Sequence, residues 1–218
     1  MRFEYLFEGP ESSPDRIVLA HGAGAPMDSP FLDRIAGDLG RRGLRVARFE
    51  FPYMEQRRAT GRRGGVDRPL VLERRWLEVI EDLGGGERLV VGGKSLGGRM
   101  ASHVADRAAV RGLVCLGYPF HPPRAPERLR TAHLATLTTP TLILQGTRDP
   151  FGGLDEVQSY GLAPAVRVEF LPDGDHSFVP RARSGHTAEE NMALAVERIA
   201  AFVEGLPGRG TGHDAAPW

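Results

Sequence analysis

Ser95 has the clearest chemical context in this sequence. It lies in Gly93-Lys94-Ser95-Leu96-Gly97, directly between the apolar run Leu89-Val90-Val91-Gly92 and a stretch with helical spacing. A serine on a sharp strand-to-helix turn is lifted above a sheet as an exposed nucleophile, and the residues two away on each side must be small. The next backbone N–H, that of Leu96, points where an oxyanion would form, and the helix start adds the positive end of its dipole. Gly93-Lys94-Ser95 also ends like a phosphate-binding loop. That loop requires a glycine five residues before Gly93, where this chain has Arg88, and residues 88–92 read as a strand instead. The strand-to-helix turn is the better fit.

A serine hydroxyl is a poor nucleophile near neutral pH and needs an adjacent base, itself oriented by an acid. Where the nucleophile sits on such a turn, acid and then base follow it along the chain. Thr141–Gln145 reads as a strand and runs into Gly146-Thr147-Arg148-Asp149-Pro150, while Val166–Leu171 runs into Pro172-Asp173-Gly174-Asp175-His176-Ser177-Phe178. Asp149 is therefore the expected acid and His176 the expected base. Asp175 is the reserve acid, too close to His176 along the chain to be preferred. His121 and His186 are candidates for solvated loop histidines. A second oxyanion donor is expected from the loop after an early strand. There His21-Gly22-Ala23-Gly24 offers Ala23 first and Gly24 next, with small residues letting the backbone approach a ligand. Ser29 followed by Pro30 reads as the cap and first position of the next helix.

These residues need a scaffold that gathers strand ends. Expected strands are 3–7, 16–20, 44–49, 88–92, 112–117, 141–145 and 166–171. Expected helices are 30–42, 69–83, 96–107, 127–135, 155–161 and 187–204. Near-continuous apolar strands alternating with helices predict a mostly parallel sheet covered on both faces, with 3–7 at an edge. Ser95, Asp149 and His176 then share the rim at the strand C-termini, where open α/β sheets bind ligands. Residues 1–204 are expected to form one domain, and 205–218, rich in Gly, Pro and Ala, a disordered tail. The arginine-rich segment Glu55–Arg68 has no clear period and reads as a mobile loop, solvated or reaching over an anionic substrate group. No long insertion follows 112–117, so no large lid is expected.

Composition narrows the function classes. The 218 residues carry 28 basic and 28 acidic side chains, and this zero balance argues against a nucleic-acid binder. One cysteine, Cys115, cannot form an internal disulfide. Charges in MRFEYLFEGP where a signal peptide would be apolar, and the lack of any run of about 18 apolar residues, predict a cytoplasmic protein without membrane contact. Neither a His-Glu-x-x-His nor a cysteine pair is present, so no metal or cofactor is expected. Of the 28 basic residues, Lys94 alone is lysine. The arginines read as compositional bias, whereas Lys94 beside Ser95 is a candidate to hold a carbonyl or carboxylate, or to attract an anionic substrate.

His21-Gly22-Ala23-Gly24, Gly93-Lys94-Ser95-Leu96-Gly97-Gly98-Arg99-Met100-Ala101, Gly117-Tyr118-Pro119-Phe120-His121-Pro122-Pro123, Gly146-Thr147-Arg148-Asp149 and Gly174-Asp175-His176-Ser177-Phe178 occur in this order along the chain. From about Arg16 to Glu204 the chain resembles the small capless α/β-hydrolases of the dienelactone-hydrolase-like branch. The resemblance implies an α/β-hydrolase fold of about seven strands, with Ser95 as nucleophile, Asp149 as acid and His176 as base. It departs from dienelactone hydrolases proper, whose nucleophile is cysteine; here Cys115 lies on another strand. Tyr118, Phe120 and His121 are expected to wall the pocket, with Phe49–Tyr53 as a second wall and Gly22, Gly24 and Lys94 also near the substrate. The expected activity is hydrolysis of a small ester or thioester through an acyl-enzyme. The alternative is a vestigial hydrolase-fold scaffold that binds a partner.

Overall fold

A computed structural model describes residues 3–207. Seven strands form one sheet in the order β1-β3-β2-β4-β5-β6-β7. They are β1 (Leu6–Glu8), β2 (Arg16–Ala20), β3 (Arg45–Phe49), β4 (Leu89–Lys94), β5 (Gly112–Leu116), β6 (Thr141–Gly146) and β7 (Val166–Leu171). All neighbours pair in parallel except β1, which runs antiparallel to β3 at the edge, Leu6 opposite Arg48. The edge position is as expected, but the strand is shorter and starts later, because only residues 6–8 find register on β3.

Strands β2 to β6 are buried along nearly their whole length. Alternate side chains therefore feed two separate cores. Ile17, Leu19, Val90, Val114 and Leu144 meet α1 (Pro30–Arg41) and α6 (Ala188–Gly205) on one face. Val18, Ala20, Val91, Leu113 and Ile143 meet α2 (Pro52–Thr60), α3 (Pro69–Asp82), α4 (Leu96–Val104) and α5 (Leu154–Val157) on the other. Fully burying one such aliphatic side chain stabilises by about 1.5–3 kcal/mol, so these two layers dominate the fold's stability. Ser29 does precede α1 with extended backbone and Pro30 at the first turn, although its hydroxyl makes no capping bond. α6 starts from a capping box, Thr187 accepting from the Glu190 N–H and Glu190 from that of Thr187.

The expected helix 155–161 is only the short α5, Leu154–Val157, and two further expectations differ. Glu55–Arg68 is not one loop: its first part belongs to α2, which opens with Pro52 and closes on Gly61 in the left-handed conformation, φ 67°. The Asp67 carboxylate accepts from the Tyr53 N–H at 2.9 Å, tying the remaining loop back to the helix start. The expected helix 127–135 shrinks to one 3-10 turn, Ala132–Ala135. Pro122 and Ala125 carbonyls accept in successive turns, and the Arg130 N–H goes to the Phe120 carbonyl at 2.7 Å, so 122–130 wraps as turns. Gly205 closes α6, and the rest of the expected tail, 208–218, lies outside the described residues. Among the described residues no helix is long and apolar enough to cross a membrane.

Candidate active site

Ser95 follows β4 and precedes α4 with φ 49° and ψ −109°, a conformation rarely tolerated by a side chain larger than glycine. Its own N–H donates to the Leu116 carbonyl at 3.0 Å, which pins the turn to β5. The sharp turn works only because α4 begins in contact with β2: a Cβ on Gly97 would lie 2.4 Å from the Ala20 carbonyl oxygen. Strand β4 covers Lys94, so the phosphate-loop reading of Gly93-Lys94-Ser95 has no loop to stand on. Leu96 opens α4, and an N–H in a first helical turn has no partner within its helix.

Asp149 follows β6 and His176 follows β7. The His176 Nδ1–H donates to Asp149 Oδ2 at 2.8 Å, while Asp149 Oδ1 accepts the Phe151 N–H at 2.9 Å. Asp149 is only 2 % exposed, so its carboxylate is fixed by these partners rather than by water. With Nδ1 protonated, His176 keeps Nε2 free to accept a proton. Asp175, the reserve acid, is engaged elsewhere: its Oδ1 accepts the N–H groups of Ser177 and Val179 at 2.7 and 3.0 Å. The ring of Phe151 lies against His176 with centroids 4.3 Å apart.

A cavity of about 460 Å³ opens over Ser95 and His176. Its other walls are residues 22–25, Ser29–Phe31, Lys94, Phe151 and Ser177. Gly22, Ala23, Gly24 and Lys94 thus stand where the sequence puts them. Tyr118, Phe120 and His121 do not. They are 0 %, 0 % and 3 % exposed, and none lines this cavity. The left-handed turn at Gly117, φ 67°, swings Tyr118 inward. Gln145 then clamps it, accepting the Tyr118 N–H at 2.7 Å and donating to its carbonyl at 3.2 Å. His121 is held by Glu156 at 2.7 Å. The second expected wall, Phe49–Tyr53, is likewise absent from the cavity lining. Phe49 and Phe51 are core, packed on Trp76 and His21.

The loop carrying Ala23 is secured from behind. Phe51 N–H can only donate and Gly22 carbonyl can only accept, so His21 carries its proton on Nδ1, donating to Gly22 at 2.7 Å and accepting at Nε2 from Phe51 at 3.1 Å. Burial holds its pKa below the ordinary histidine range, which keeps that tautomer neutral. The Tyr53 hydroxyl lies 3.3 and 3.1 Å from the Gly22 and Ala23 carbonyls. Arg58 of α2 joins the buried Glu50 to Asp28, with Glu50 also accepting the Met27 N–H at 3.3 Å. Carbonyls turned toward α2 leave the opposite side of the loop for its N–H groups. Arg58 therefore braces the loop from outside, and no arginine of 55–68 lines the cavity. Phe31 and Phe151 were without an assigned role in the sequence, whereas Tyr53, expected in a cavity wall, and His21, expected only as part of the loop, brace that loop from behind. The Pro52 start and Gly61 stop of α2 were the signals that would have found Tyr53.

Lys94 is also oriented: its ammonium donates to the His176 carbonyl at 2.5 Å. Burial lowers its pKa to about 8 against the opposing pull of Asp149 and Asp175. Cys115 is buried in the sheet, and burial pushes its thiol well above the ordinary range. Among the described residues no three His, Cys, Asp or Glu side chains converge as a metal ligand set.

A lidless, mostly parallel sheet with a serine on a strained strand-to-helix turn and a His–Asp pair on later strand ends defines a capless α/β-hydrolase architecture. The alpha/beta hydrolase domain family matches residues 13–204, and the chain belongs to that family. Similar solved structures include an a/b serine hydrolase without lid from Xanthomonas campestris. It has TM-score 0.65 and 18 % identity, covering 94 % of this chain and 89 % of that one. Dienelactone hydrolase from Anabaena variabilis gives TM-score 0.67 and 22 % identity over 90 % of each chain. Est1E from Butyrivibrio proteoclasticus gives 0.65 and 12 %, covering 92 % of this chain and 94 % of that one. At these identities the likeness is one of fold.

Proposed function

We propose that this protein is a serine hydrolase of small carboxylic esters or thioesters. The observation that carries the reading is the His176 Nδ1–H bond to buried Asp149, with Nε2 left for a cavity that also holds Ser95. His176 takes the Ser95 proton as Oγ attacks the ester carbonyl. The N–H groups of Ala23 and Leu96 receive the oxyanion, aided by the start of α4. His176 then protonates the departing alkoxide or thiolate, leaving an acyl group on Ser95. A water molecule gives its proton to His176, attacks the acyl carbonyl, and the acid leaves as Ser95 is reprotonated. No cofactor enters this cycle.

The cavity volume falls in the range that holds small ligands, and Phe31, Pro30 and Phe151 give it apolar walls suited to a short acyl or aromatic group. The solved neighbour Est1E has been seen with ferulic acid bound, which supports a small-molecule substrate. A single buried thiol needs no oxidising compartment, in keeping with a cytoplasmic enzyme. Ser95→Ala tests the reading: with 4-nitrophenyl acetate, kcat/KM should fall by about a thousandfold or more. Undiminished hydrolysis by the folded variant would refute it.

A further inference from the structure

A chain with 27 arginines has one lysine, and that lysine sits beside the proposed nucleophile. Its stem runs past Gly22, where an added Cβ would touch Lys94 Cγ at 3.5 Å. Its ammonium ends between the rings of Phe31 and Phe178, 5.4 and 6.0 Å from their centroids, and bonds the main-chain carbonyl of His176. The third boundary is Gly117. A Cβ there would lie 2.8 Å from Lys94 Nζ, 2.9 Å from the His176 carbonyl and 3.2 Å from His176 Nδ1. Nζ and the imidazole are therefore no more than about 6 Å apart.

We infer that Lys94 is a positioning residue for the base of the proposed reaction: it holds the His176 main chain in place, in a space that admits an ammonium and not a guanidinium. The inference rests on the serine-hydrolase reading for its consequence and on this geometry for its substance. His176 lies on a loop between β7 and α6, and its ring is aimed by two contacts, Asp149 at Nδ1 and Lys94 at the carbonyl. An ammonium is a compact point donor, whereas a guanidinium is a planar fork that needs space on both sides. Here Gly117 and the His176 ring occupy that space. This accounts for lysine in a chain that otherwise uses arginine. The charged groups facing Lys94 are Asp149 and Asp175, and both favour the ammonium.

Because there is one lysine, ¹⁵N-lysine labelling yields a single Nζ resonance from the unmodified protein. The clamp predicts a signal protected from solvent exchange that titrates near the lowered value of about 8. A freely exchanging signal titrating near the ordinary 10.5 would overturn it, with no variant and no activity needed. Lys94→Gln and Lys94→Arg then test the role. In Lys94→Gln, kcat should fall about 10–100-fold with KM within about twofold, since transition-state alignment rather than binding is lost. Lys94→Arg, which keeps the charge but not the shape, should not restore kcat. Wild-type kcat in Lys94→Gln would refute the assignment while leaving the hydrolase reading intact. If wild type shows no hydrolysis at all, that reading fails and the exchange and titration of the Lys94 Nζ signal still decide the clamp.

Discussion

Asp149→Asn removes one charge and keeps the side-chain shape, so its effect follows from hydrogen-bond arithmetic. Oδ1 of Asp149 accepts the Phe151 N–H at 2.9 Å and Oδ2 faces the His176 Nδ1–H at 2.8 Å. Both partners are donors, and an amide offers one acceptor and one donor. If its oxygen stays on Phe151, its NH₂ meets His176, and the imidazole must move its proton to Nε2. That is the nitrogen that has to take the Ser95 proton. If the amide turns over, its NH₂ meets the Phe151 N–H, and a buried donor left unpaired costs about 1–3 kcal/mol. In either orientation the carboxylate that stabilises the forming imidazolium is gone, a charge-assisted bond worth roughly 1.5–3 kcal/mol. The total, about 3–6 kcal/mol, is a fall of roughly two to four orders of magnitude in kcat/KM. Initial rates of 4-nitrophenyl acetate hydrolysis near neutral pH read it directly, with thermal unfolding showing that the variant is folded. A folded Asp149→Asn enzyme within tenfold of wild type would refute the assignment of Asp149 and the tautomer argument.

The brace behind the Ala23 loop is tested by Tyr53→Phe, which loses the hydroxyl shared by the Gly22 and Ala23 carbonyls. At about 1 kcal/mol, kcat should fall roughly fivefold with KM nearly unchanged, and an unchanged kcat would speak against the brace. Gly97→Ala drives a methyl to 2.4 Å from the Ala20 carbonyl oxygen. Overpacking of about 1–3 kcal/mol should lower Tm by roughly 3–10 °C, whereas an unshifted Tm would show the turn to be looser than described. His133 is held down to about 4 by burial and then by His103 and Arg99. Unfolding restores its ordinary value of about 6.5, so the unfolded chain binds more protons in between. Its contribution is complete above about pH 6.5 and is lost as pH falls toward 4, so Tm should drop over that window, less steeply in His133→Asn. Equal slopes would exclude His133 as a source.

The alternation of apolar strands with helices was legible because each βα unit buries its own faces, and six of the seven strands lie within about two residues of their expected ends. Strand-end placement of Ser95, Asp149 and His176 was legible for the same reason. Side-chain direction after a strand was not. Whether Tyr118 faces the cavity or the core depends on the left-handed turn at Gly117 and on Gln145, a buried residue on a neighbouring strand. The shortfall of 127–135 likewise depends on a long-range partner, the Phe120 carbonyl that takes the Arg130 N–H. α2 was obscured because only Tyr53 and Met54 are buried on it, too few to register as a periodic face, and its Arg58 pairs with Glu50 and Asp28.

The central claim is that Ser95 is an activated nucleophile. A fluorophosphonate probe, followed by peptide mass mapping, tests it without knowledge of the substrate. The account predicts one adduct per chain, on Ser95, lost in Ser95→Ala and strongly slowed in His176→Ala. A folded, unlabelled wild-type protein, or an adduct on another residue, would contradict it.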